Sequence, residues 1–237
     1  MTTAHAAELV FTPPPTPTVP IAGEKRQYPV HRIFCVGRNY AEHAKEMGHE
    51  VDREAPWYFL KPATALVLSG ATIPYPPETK NYHYEMELVV AIGAPAFRVS
   101  TNDAMRSAYG FACGLDMTRR DLQMAAREKS RPWDLGKAFE QSAIIAAITP
   151  KEKFAVIGPQ RISLTVGDSI KQDAKLSDLV WSVPELISHL SRFYHLVPGD
   201  VIYTGTPAGV GPVLPGDSIV GEIDGLAPVR LKIAGSE

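Results

Sequence analysis

The pattern of hydrophobic and polar positions predicts a protein built mainly from short β-strands. Short apolar runs, several of them rich in Val and Ile, are separated by turns that contain Pro, Gly or Asp, and this arrangement is typical of strands. The predicted strands cover residues 33–36, 84–92, 109–118, 161–166, 200–203, 218–223 and 228–233.

Helix-forming residues and helical spacing predict four short helices, over residues 41–47, 103–107, 119–129 and 183–194. The first of these ends at Gly48, a common C-cap, and its length of about two turns makes it dependent on packing. Residues 49–64 mix charges with Pro56 and Pro62 and predict a loop. A marginal helix leading into a loop indicates a lid. Together the elements indicate an α+β fold with a mixed, largely antiparallel β core and few helices.

The first 30 residues are rich in proline and predict an extended arm. Pro13, Pro14, Pro15, Pro17 and Pro20 fix the backbone φ angle and remove hydrogen-bond donors. The few apolar residues of this stretch allow it to dock against the main body. We assign the arm no catalytic role.

Composition and charge exclude several classes of protein. The chain has 24 Lys and Arg against 26 Asp and Glu, a net charge of −2, which argues against binding to nucleic acid or to a membrane surface. No apolar run approaches the ~18 residues of a membrane span, and no basic residue precedes Lys25 as in a secretory signal. Cys35 and Cys113 lie in apolar stretches and are predicted to be buried thiols. We expect a cytoplasmic protein.

Three carboxylates are the candidate metal ligands. Glu85 and Glu87 are two apart, so on a strand they point to one face, and Asp116 ends the predicted strand 109–118. Carboxylate oxygens are hard ligands that select Mg²⁺, Mn²⁺ or Ca²⁺ over zinc. Two different interpretations stay open: a solvent-facing pair of glutamates on an edge strand, and a structural Ca²⁺ site without catalysis.

Other polar residues are candidates for catalysis and for substrate binding. His43 and Glu46 are three apart on the predicted lid helix, where a carboxylate would orient an imidazole as a general base, although such pairs are often only solvated. Arg120 and Gln123 are also three apart on a helix, directly after Asp116. The remaining candidates share polar side chains in unusual contexts; they are Arg38, Arg119, Lys137 between Gly136 and apolar residues, and Thr206 in the run Tyr-Thr-Gly-Thr-Pro.

A set of ordered motifs resembles the fumarylacetoacetate hydrolase family. The motifs are FCVGRNYAEHAKEMG, FLKP, HYEMEL, GLDMTRRDLQ, RPWDLGKAFEQSA, VPELISHLS and GDVIYTGTPAGVGP, and they keep their order between residues 33 and 233. The resemblance implies a mixed β-roll with few peripheral helices that forms a homodimer. It also divides the chain into a proline-rich arm (1–30), a small N-terminal segment with the lid helix (31–70) and a catalytic domain (71–237).

The resemblance implies a role for most of the candidates. Glu85, Glu87 and Asp116 match the ligands of Mg²⁺ or Mn²⁺, and His43 with Glu46 matches a dyad that activates water. The active-site arginine, glutamine, lysine and threonine of the family match Arg120, Gln123, Lys137 and Thr206, with Lys137 in a catalytic role. Arg38 is a further candidate for substrate binding, without a match among the family's active-site residues.

The implied reaction is hydrolysis of a carbon–carbon bond in a small β-diketo acid. Fumarylpyruvate, cleaved to fumarate and pyruvate in aromatic catabolism, is the expected substrate. Arg119 stands where related acylpyruvases often have a small residue, so we expect it to bind a second carboxylate of a dicarboxylic substrate. The same scaffold could instead support acylpyruvase or oxaloacetate decarboxylase activity, or isomerisation of unsaturated diacids.

Overall fold

The computed structural model describes residues 9–46, 48, 53–154 and 156–236. The strands in this part of the chain are β1 (Thr18–Pro20), β2 (Gln27–Pro29), β3 (Arg32–Gly37), β4 (Trp57–Lys61), β5 (Leu66–Leu68), β6 (Ala71–Tyr75), β7 (Tyr82–Tyr84), β8 (Met86–Ile92), β9 (Ala108–Asp116), β10 (Thr118–Arg119), β11 (Ala143–Ile145), β12 (Thr149–Pro150), β13 (Arg161–Val166), β14 (Ser169–Lys175), β15 (Asp200–Tyr203), β16 (Gly211–Pro212), β17 (Ser218–Ile223) and β18 (Val229–Ser236). The α-helices are α1 (Ala41–Glu46), α2 (Thr101–Ala104), α3 (Arg120–Glu128), α4 (Asp134–Lys137) and α5 (Val183–Leu190).

Two sheets form the body of the molecule. The larger has eight strands in the order β4-β3-β15-β8-β9-β11-β5, with β12 paired to β9, and the smaller has five in the order β14-β13-β17-β18-β6. Most neighbouring strands are antiparallel, while β15 with β3, β11 with β5 and β18 with β6 are parallel. The predicted α+β class with a mixed, largely antiparallel core is confirmed.

The hydrophobic core lies on both faces of the larger sheet. Alternation along β9 sends Phe111, Cys113 and Leu115 into a cluster with buried residues of the five-stranded sheet, so the two sheets pack face to face. Ala112 points to the opposite face, which the hairpin of β1 and β2 covers with Val19. Cys35 and Cys113 are buried free thiols, as predicted.

The N-terminal arm is more ordered than its proline content predicts. The apolar residues Val19, Ile21 and Tyr28 are buried, and Tyr28 donates a hydrogen bond to the carbonyl oxygen of Ile92 at 2.7 Å. Burial of these side chains compensates for the hydrogen-bond donors that proline removes. The predicted docking of the arm is confirmed for Val19 and Ile21, although residues 18–29 form a hairpin of two strands rather than one continuous extended segment. The division into an arm and two further segments stays a prediction.

Several predicted elements are corrected by the structure. The loop predicted over residues 49–64 contains the strand β4, which pairs with β3 through all five of its residues. Residues 49–52 of this predicted loop lie outside the described part of the chain. The helix predicted over 183–194 ends at Leu190. Beyond it the hydrogen bonding changes to an i to i−3 turn, in which the Phe193 amide donates to the Leu190 carbonyl oxygen. The helix predicted over 103–107 lies at Thr101–Ala104 because the Ser100 side chain caps its start.

The predicted lid helix is present as α1, and its predicted last residue, Met47, lies outside the described part of the chain. None of the helices in the described ranges has the length and apolar character needed to span a bilayer.

Candidate active site

Three carboxylates from adjoining strands meet at one point of the larger sheet. Glu85 lies between β7 and β8, Glu87 is on β8, and Asp116 ends β9, whose last residues pair with the start of β8. One oxygen of each carboxylate lies within 4.8 Å of the other two. The residues are 5%, 1% and 0% exposed, so the interpretation as a solvent-facing pair is wrong. The structure brings the three predicted ligands together.

Three buried cations surround these carboxylates. The Lys137 ammonium lies 2.7 Å from Glu85 Oε2 and 2.6 Å from Asp116 Oδ2. The Arg120 guanidinium lies 2.5 Å from Glu85 Oε1, and the Lys61 ammonium lies 2.8 Å from Asp116 Oδ1. Since an unpaired buried charge is costly, these contacts explain how Glu85 and Asp116 are accommodated.

Small residues bring Lys137 to the carboxylates. A Cβ atom added to Gly136 would lie 2.8 Å from the Gln123 backbone nitrogen, so the absence of a side chain lets α4 pack directly on α3. Lys137 ends α4, and the Thr118 hydroxyl accepts a further hydrogen bond from its ammonium at 2.6 Å. The unusual context of Lys137 in the sequence therefore has a packing cause.

Glu87 differs from the other two carboxylates. Among the described residues it has no cationic partner within ion-pair distance, and Glu87 Oε2 accepts a hydrogen bond from the Gly205 amide at 2.6 Å. Burial, together with the negative charges of Asp116 and Glu85, raises the pKa of Glu87 well above its usual range. Burial opposes ionisation of Glu85 as well, but Lys137 and Arg120 more than offset it and hold the pKa of Glu85 below its usual range.

The donor set fits a hard divalent cation. Asp116 Oδ1 is buried and accepts no well-directed hydrogen bond, although Lys61 lies beside it. Glu87 also lacks a positive partner among the described residues. A cation such as Mg²⁺ or Mn²⁺ bound by the three oxygens would supply the missing charge. No zinc ligand such as Cys or His joins this cluster in the described part of the chain.

His43 of the predicted dyad lines a cavity that also reaches two of the carboxylates. On α1, His43 Nδ1 lies 3.1 Å from Glu46 Oε2, and the Gly209 amide donates to Glu46 at 3.1 Å. The Gly209 contact ties α1 to the loop after β15. Because an ionised carboxylate only accepts hydrogen bonds, Nδ1 carries the proton and Nε2 is left as the basic nitrogen. His43 is buried and lines the cavity beside Glu85 and Glu87.

The cavity collects most of the predicted substrate-binding residues. Arg38, Arg120, Gln123, Lys137 and Thr206 all line it. The Arg120 guanidinium donates to Gln123 Oε1, and Thr206 Oγ1 accepts a hydrogen bond from the Gln172 amide at 2.8 Å. The cavity is open at its mouth, but the space between its lining side chains is narrow, so a diketo acid requires movement of these side chains.

Arg119 is not part of this cavity. It is 9% exposed, its guanidinium lies 4.2 Å from the centre of the Phe139 ring, and it lines a separate cavity with Tyr75 and Glu140. Thr118 and Arg119 form the short strand β10, so their side chains alternate, and Thr118 is the one beside Lys137. The structure therefore places Arg119 outside the cavity of the carboxylate cluster and does not support the expectation that it binds a second substrate carboxylate there.

Four residues of the site, Lys61, Thr118, Gln172 and Arg127, are not predicted from the sequence. Lys61 follows Leu60 and precedes Pro62 in the predicted loop, and its apolar context is the same signal that singles out Lys137. Arg127 lines the cavity from α3, on the same helix face as Arg120 and Gln123 and one turn beyond Gln123. Helical spacing from Arg120 could have identified it.

The chain is similar in sequence to several known proteins. The sequence profile described as fumarylacetoacetate (FAA) hydrolase C-terminal matches residues 32–234. The fumarylpyruvate hydrolase of Ralstonia sp is 51% identical over 193 residues, which cover 81% of this chain and 100% of that protein. A mitochondrial oxaloacetate tautomerase of Mus musculus is 42% identical over 205 residues, which cover 86% of this chain and 92% of that protein.

A solved structure shares both the sequence and the fold. The crystal structure of fumarylpyruvate hydrolase from Pseudomonas aeruginosa in complex with Mn²⁺ and pyruvate has a TM-score of 0.93 and 45% identity to this chain. The match covers 97% of this chain and 100% of that one. Because the family profile matches most of its length and these relatives share 42–51% of its residues, the chain belongs to the fumarylacetoacetate hydrolase family.

Proposed function

We propose that this protein is a metal-dependent hydrolase that cleaves a carbon–carbon bond in a β-diketo acid, with fumarylpyruvate as substrate and fumarate and pyruvate as products. The observation that carries the proposal is that one cavity is lined by both the His43–Glu46 dyad, through His43, and two of the three clustered carboxylates, Glu85 and Glu87. A water-activating pair thus lies beside a cation site. The similarity to fumarylpyruvate hydrolases, one of them bound to Mn²⁺ and pyruvate, supports the choice of substrate.

The carboxylates Glu85, Glu87 and Asp116 would hold the cation, for which we propose Mg²⁺ or Mn²⁺. When bound, such an ion acts as a Lewis acid that polarises oxygens and stabilises negative charge developing on them. Since the pyruvate leaving group departs as an enolate, this is the charge that most needs stabilisation.

His43 would act as the general base. Its Nε2 takes a proton from a water, and the hydroxide adds to the carbonyl carbon of the acyl group, which bears the methylene. The bond between this carbon and the methylene breaks, its electron pair stays with the pyruvate fragment, and the proton returns to the methylene carbon. Glu46 holds the imidazole in one tautomer and stabilises the imidazolium between the two transfers.

Arg120, Gln123 and Lys137 would position the substrate and stabilise oxyanion charge. All three line the cavity, and their side chains are already held by contacts with one another or with the carboxylates. Donors fixed before the reaction stabilise a developing anion without reorganisation. Thr206 and Arg38 also line the cavity.

The test is an ultraviolet assay of the purified protein with Mg²⁺ or Mn²⁺. We expect loss of the enol absorbance of fumarylpyruvate, with fumarate and pyruvate in equal amounts, and slower cleavage of acetylpyruvate. Removal of the metal with a chelator should abolish turnover, and re-addition should restore it. Failure to cleave either diketo acid in the presence of metal would contradict the proposal.

A second candidate function is tautomerisation of oxaloacetate. The mouse oxaloacetate tautomerase is 42% identical over most of both chains, which favours this activity over decarboxylation of oxaloacetate and over isomerisation of unsaturated diacids. It would use the same α-keto acid site and only a proton transfer, without attack by water. Adding oxaloacetate to the assay, and following enol and keto forms separately from pyruvate release, distinguishes tautomerase, decarboxylase and hydrolase activity.

We further propose a homodimer in the cytoplasm that acts in aromatic catabolism. These statements rest on the resemblance to the family and on the expected substrate. Light scattering of the purified protein at several concentrations tests the dimer, and a constant monomer mass would contradict it.

A further inference from the structure

We propose that Arg38 and Arg127 together bind a carboxylate at the end of the acyl group, which makes the site selective for dicarboxylic substrates. This inference rests on the proposed function, since it names the part of the same cavity that receives the acyl end. It assigns to two residues inside the cavity the role that the sequence suggested for Arg119.

One face of α3 lines the cavity over most of its length. Arg120, Gln123, Met124 and Arg127 have the spacing i, i+3, i+4 and i+7, and all four line it. Arg120 contacts the carboxylate cluster through Glu85, whereas Arg127 lies seven residues further along, about 10 Å at 1.5 Å per residue. The cavity therefore extends along α3 from the cation site towards Arg127.

This length suits a seven-carbon diacid. An extended carbon chain advances about 1.25 Å per bond, so the two carboxylate carbons of fumarylpyruvate lie no more than about 8 Å apart. With one carboxylate near Arg120 and the cation site, the other reaches hydrogen-bond distance of a guanidinium about 10 Å along the helix. An acyl group of two carbons stops short of Arg127.

Among the described residues, the two guanidinium groups have no anionic partner. Neither Arg38 nor Arg127 forms an ion pair or a side-chain hydrogen bond with any residue in the described part of the chain. Arg38 lies 5.6 Å over the Trp57 ring, and burial together with the positive charge of Arg127 lowers the pKa of Arg38. Two partly buried like charges facing one cavity favour an anion between them, and a planar carboxylate matches the guanidinium donors.

Aromatic side chains form the wall beside this pair. Trp57, Phe59 and Trp133 all line the cavity, with ring centroids 4.7 Å apart for the two tryptophans and 6.0 Å apart for Trp57 and Phe59. An aromatic, apolar wall between two charged ends fits an unsaturated carbon chain that carries a carboxylate at each end. Arg38 follows the last residue of β3 directly and has a left-handed backbone conformation, with φ of 55°. It lines the cavity together with these aromatic side chains.

The test measures selectivity rather than activity alone. In Arg127→Gln, we expect the ratio of kcat/KM for fumarylpyruvate to kcat/KM for acetylpyruvate to fall by about 10- to 100-fold, the range of one charge-assisted hydrogen bond. Arg127→Lys should recover part of the ratio, because it retains the charge without the planar fork. The matched control is Arg131→Gln, an exposed arginine just beyond the end of the same helix that does not line the cavity, which should keep the wild-type ratio.

Binding measurements separate failure of this inference from failure of the proposed function. Calorimetry with fumarate and crotonate, which differ by one carboxylate, should show tighter binding of fumarate to the wild type and loss of this preference in Arg127→Gln. This result stands even if the protein cleaves neither diketo acid, which would refute the proposed function alone. An unchanged substrate ratio together with an unchanged preference for fumarate would overturn the inference.

Discussion

The Lys61 ammonium lies 2.8 Å from Asp116 Oδ1, and neither side chain is exposed to solvent. Lys61 also donates a hydrogen bond to the Met117 carbonyl oxygen at 3.1 Å and another to the Lys137 carbonyl oxygen. It thereby connects β4 to the segment after Asp116 and to the end of α4, which carries Lys137. The pair is part of the support of the carboxylate cluster, and neither of its two residues lines the cavity.

Replacing Lys61 should destabilise the protein. Lys61→Met keeps most of the side-chain volume but leaves Asp116 with one cation fewer, and breaking a buried ion pair costs about 3–5 kcal/mol. We expect a decrease of this size in the free energy of unfolding of the metal-free protein, measured with urea. Lys232→Met, an exposed position on β18, is the control and should change it by less than about 0.5 kcal/mol. Equal stability of the Lys61 variant and the wild type would show that the pair is dispensable.

Removing the imidazole of His43 should affect turnover and spare the metal. His43→Ala is expected to lower kcat by about 10²- to 10⁴-fold, the usual contribution of a general base. Titration calorimetry with Mn²⁺ should give the wild-type affinity, because the proposed ligands are carboxylates. Glu42→Gln changes an exposed residue of the same helix and serves as the control. Wild-type turnover in His43→Ala would remove the dyad from the mechanism.

Glu85 and Glu87 should respond differently to loss of charge. Glu87→Gln removes a buried carboxylate that has no cationic partner among the described residues, so the metal-free protein should be at least as stable as the wild type. Glu85→Gln leaves Lys137 and Arg120 with one anion fewer and should destabilise it. Both variants should lose most of the stabilisation by Mn²⁺, which for the wild type is about 2.7 kcal/mol at a hundred times Kd.

Urea unfolding of each variant with and without Mn²⁺ measures these free energies. If Glu87→Gln retains the full stabilisation by Mn²⁺, Glu87 is not a ligand. If Glu85→Gln and Glu87→Gln destabilise the metal-free protein equally, the difference in ion pairing between the two carboxylates has no energetic consequence.

The sequence predicts the carboxylate cluster well because residue type and strand periodicity carry most of the information. Three acidic residues at the ends or on the inner faces of apolar strands must be compensated, and oxygen ligands restrict the choice of ion. The helical spacing of His43 with Glu46 and of Arg120 with Gln123 likewise predicts which side chains share a face, and both pairs are in contact in the structure.

Tertiary packing accounts for what the sequence does not predict. The strand β4 is short, bounded by prolines and preceded by charges, so local signals favour a loop, and only its pairing with β3 makes it a strand. Arg119 and Arg120 are adjacent in sequence, yet the change from strand β10 to helix α3 between them sends one to Phe139 and the other to Glu85. Sequence spacing does not fix the boundary between a strand and a helix to one residue, so it does not predict which of the two arginines faces the cavity.

Gly205 should be required both for stability and for the orientation of Glu87. Its φ is 98°, its amide donates to Glu87 Oε2 at 2.6 Å, and an added Cβ would lie 2.7 Å from the Asn39 Cβ. Asn39 cannot move freely, because its amide donates to the carbonyl oxygens of Thr204 at 2.8 Å and Trp181 at 3.0 Å. Alanine at position 205 therefore combines backbone strain with a steric clash at the carboxylate cluster.

Gly216 provides a matched control for this substitution. Its φ is 100°, but an added Cβ would meet no atom within 4 Å, so Gly216→Ala reports the cost of the positive φ alone, about 1–3 kcal/mol. We expect Gly205→Ala to lower the free energy of unfolding by more than this and to weaken Mn²⁺ binding, whereas Gly216→Ala should bind Mn²⁺ as the wild type does. Urea unfolding and Mn²⁺ calorimetry measure both effects. Equal destabilisation with unchanged Mn²⁺ affinity in the two variants would mean that the Gly205 amide does not orient the proposed ligand.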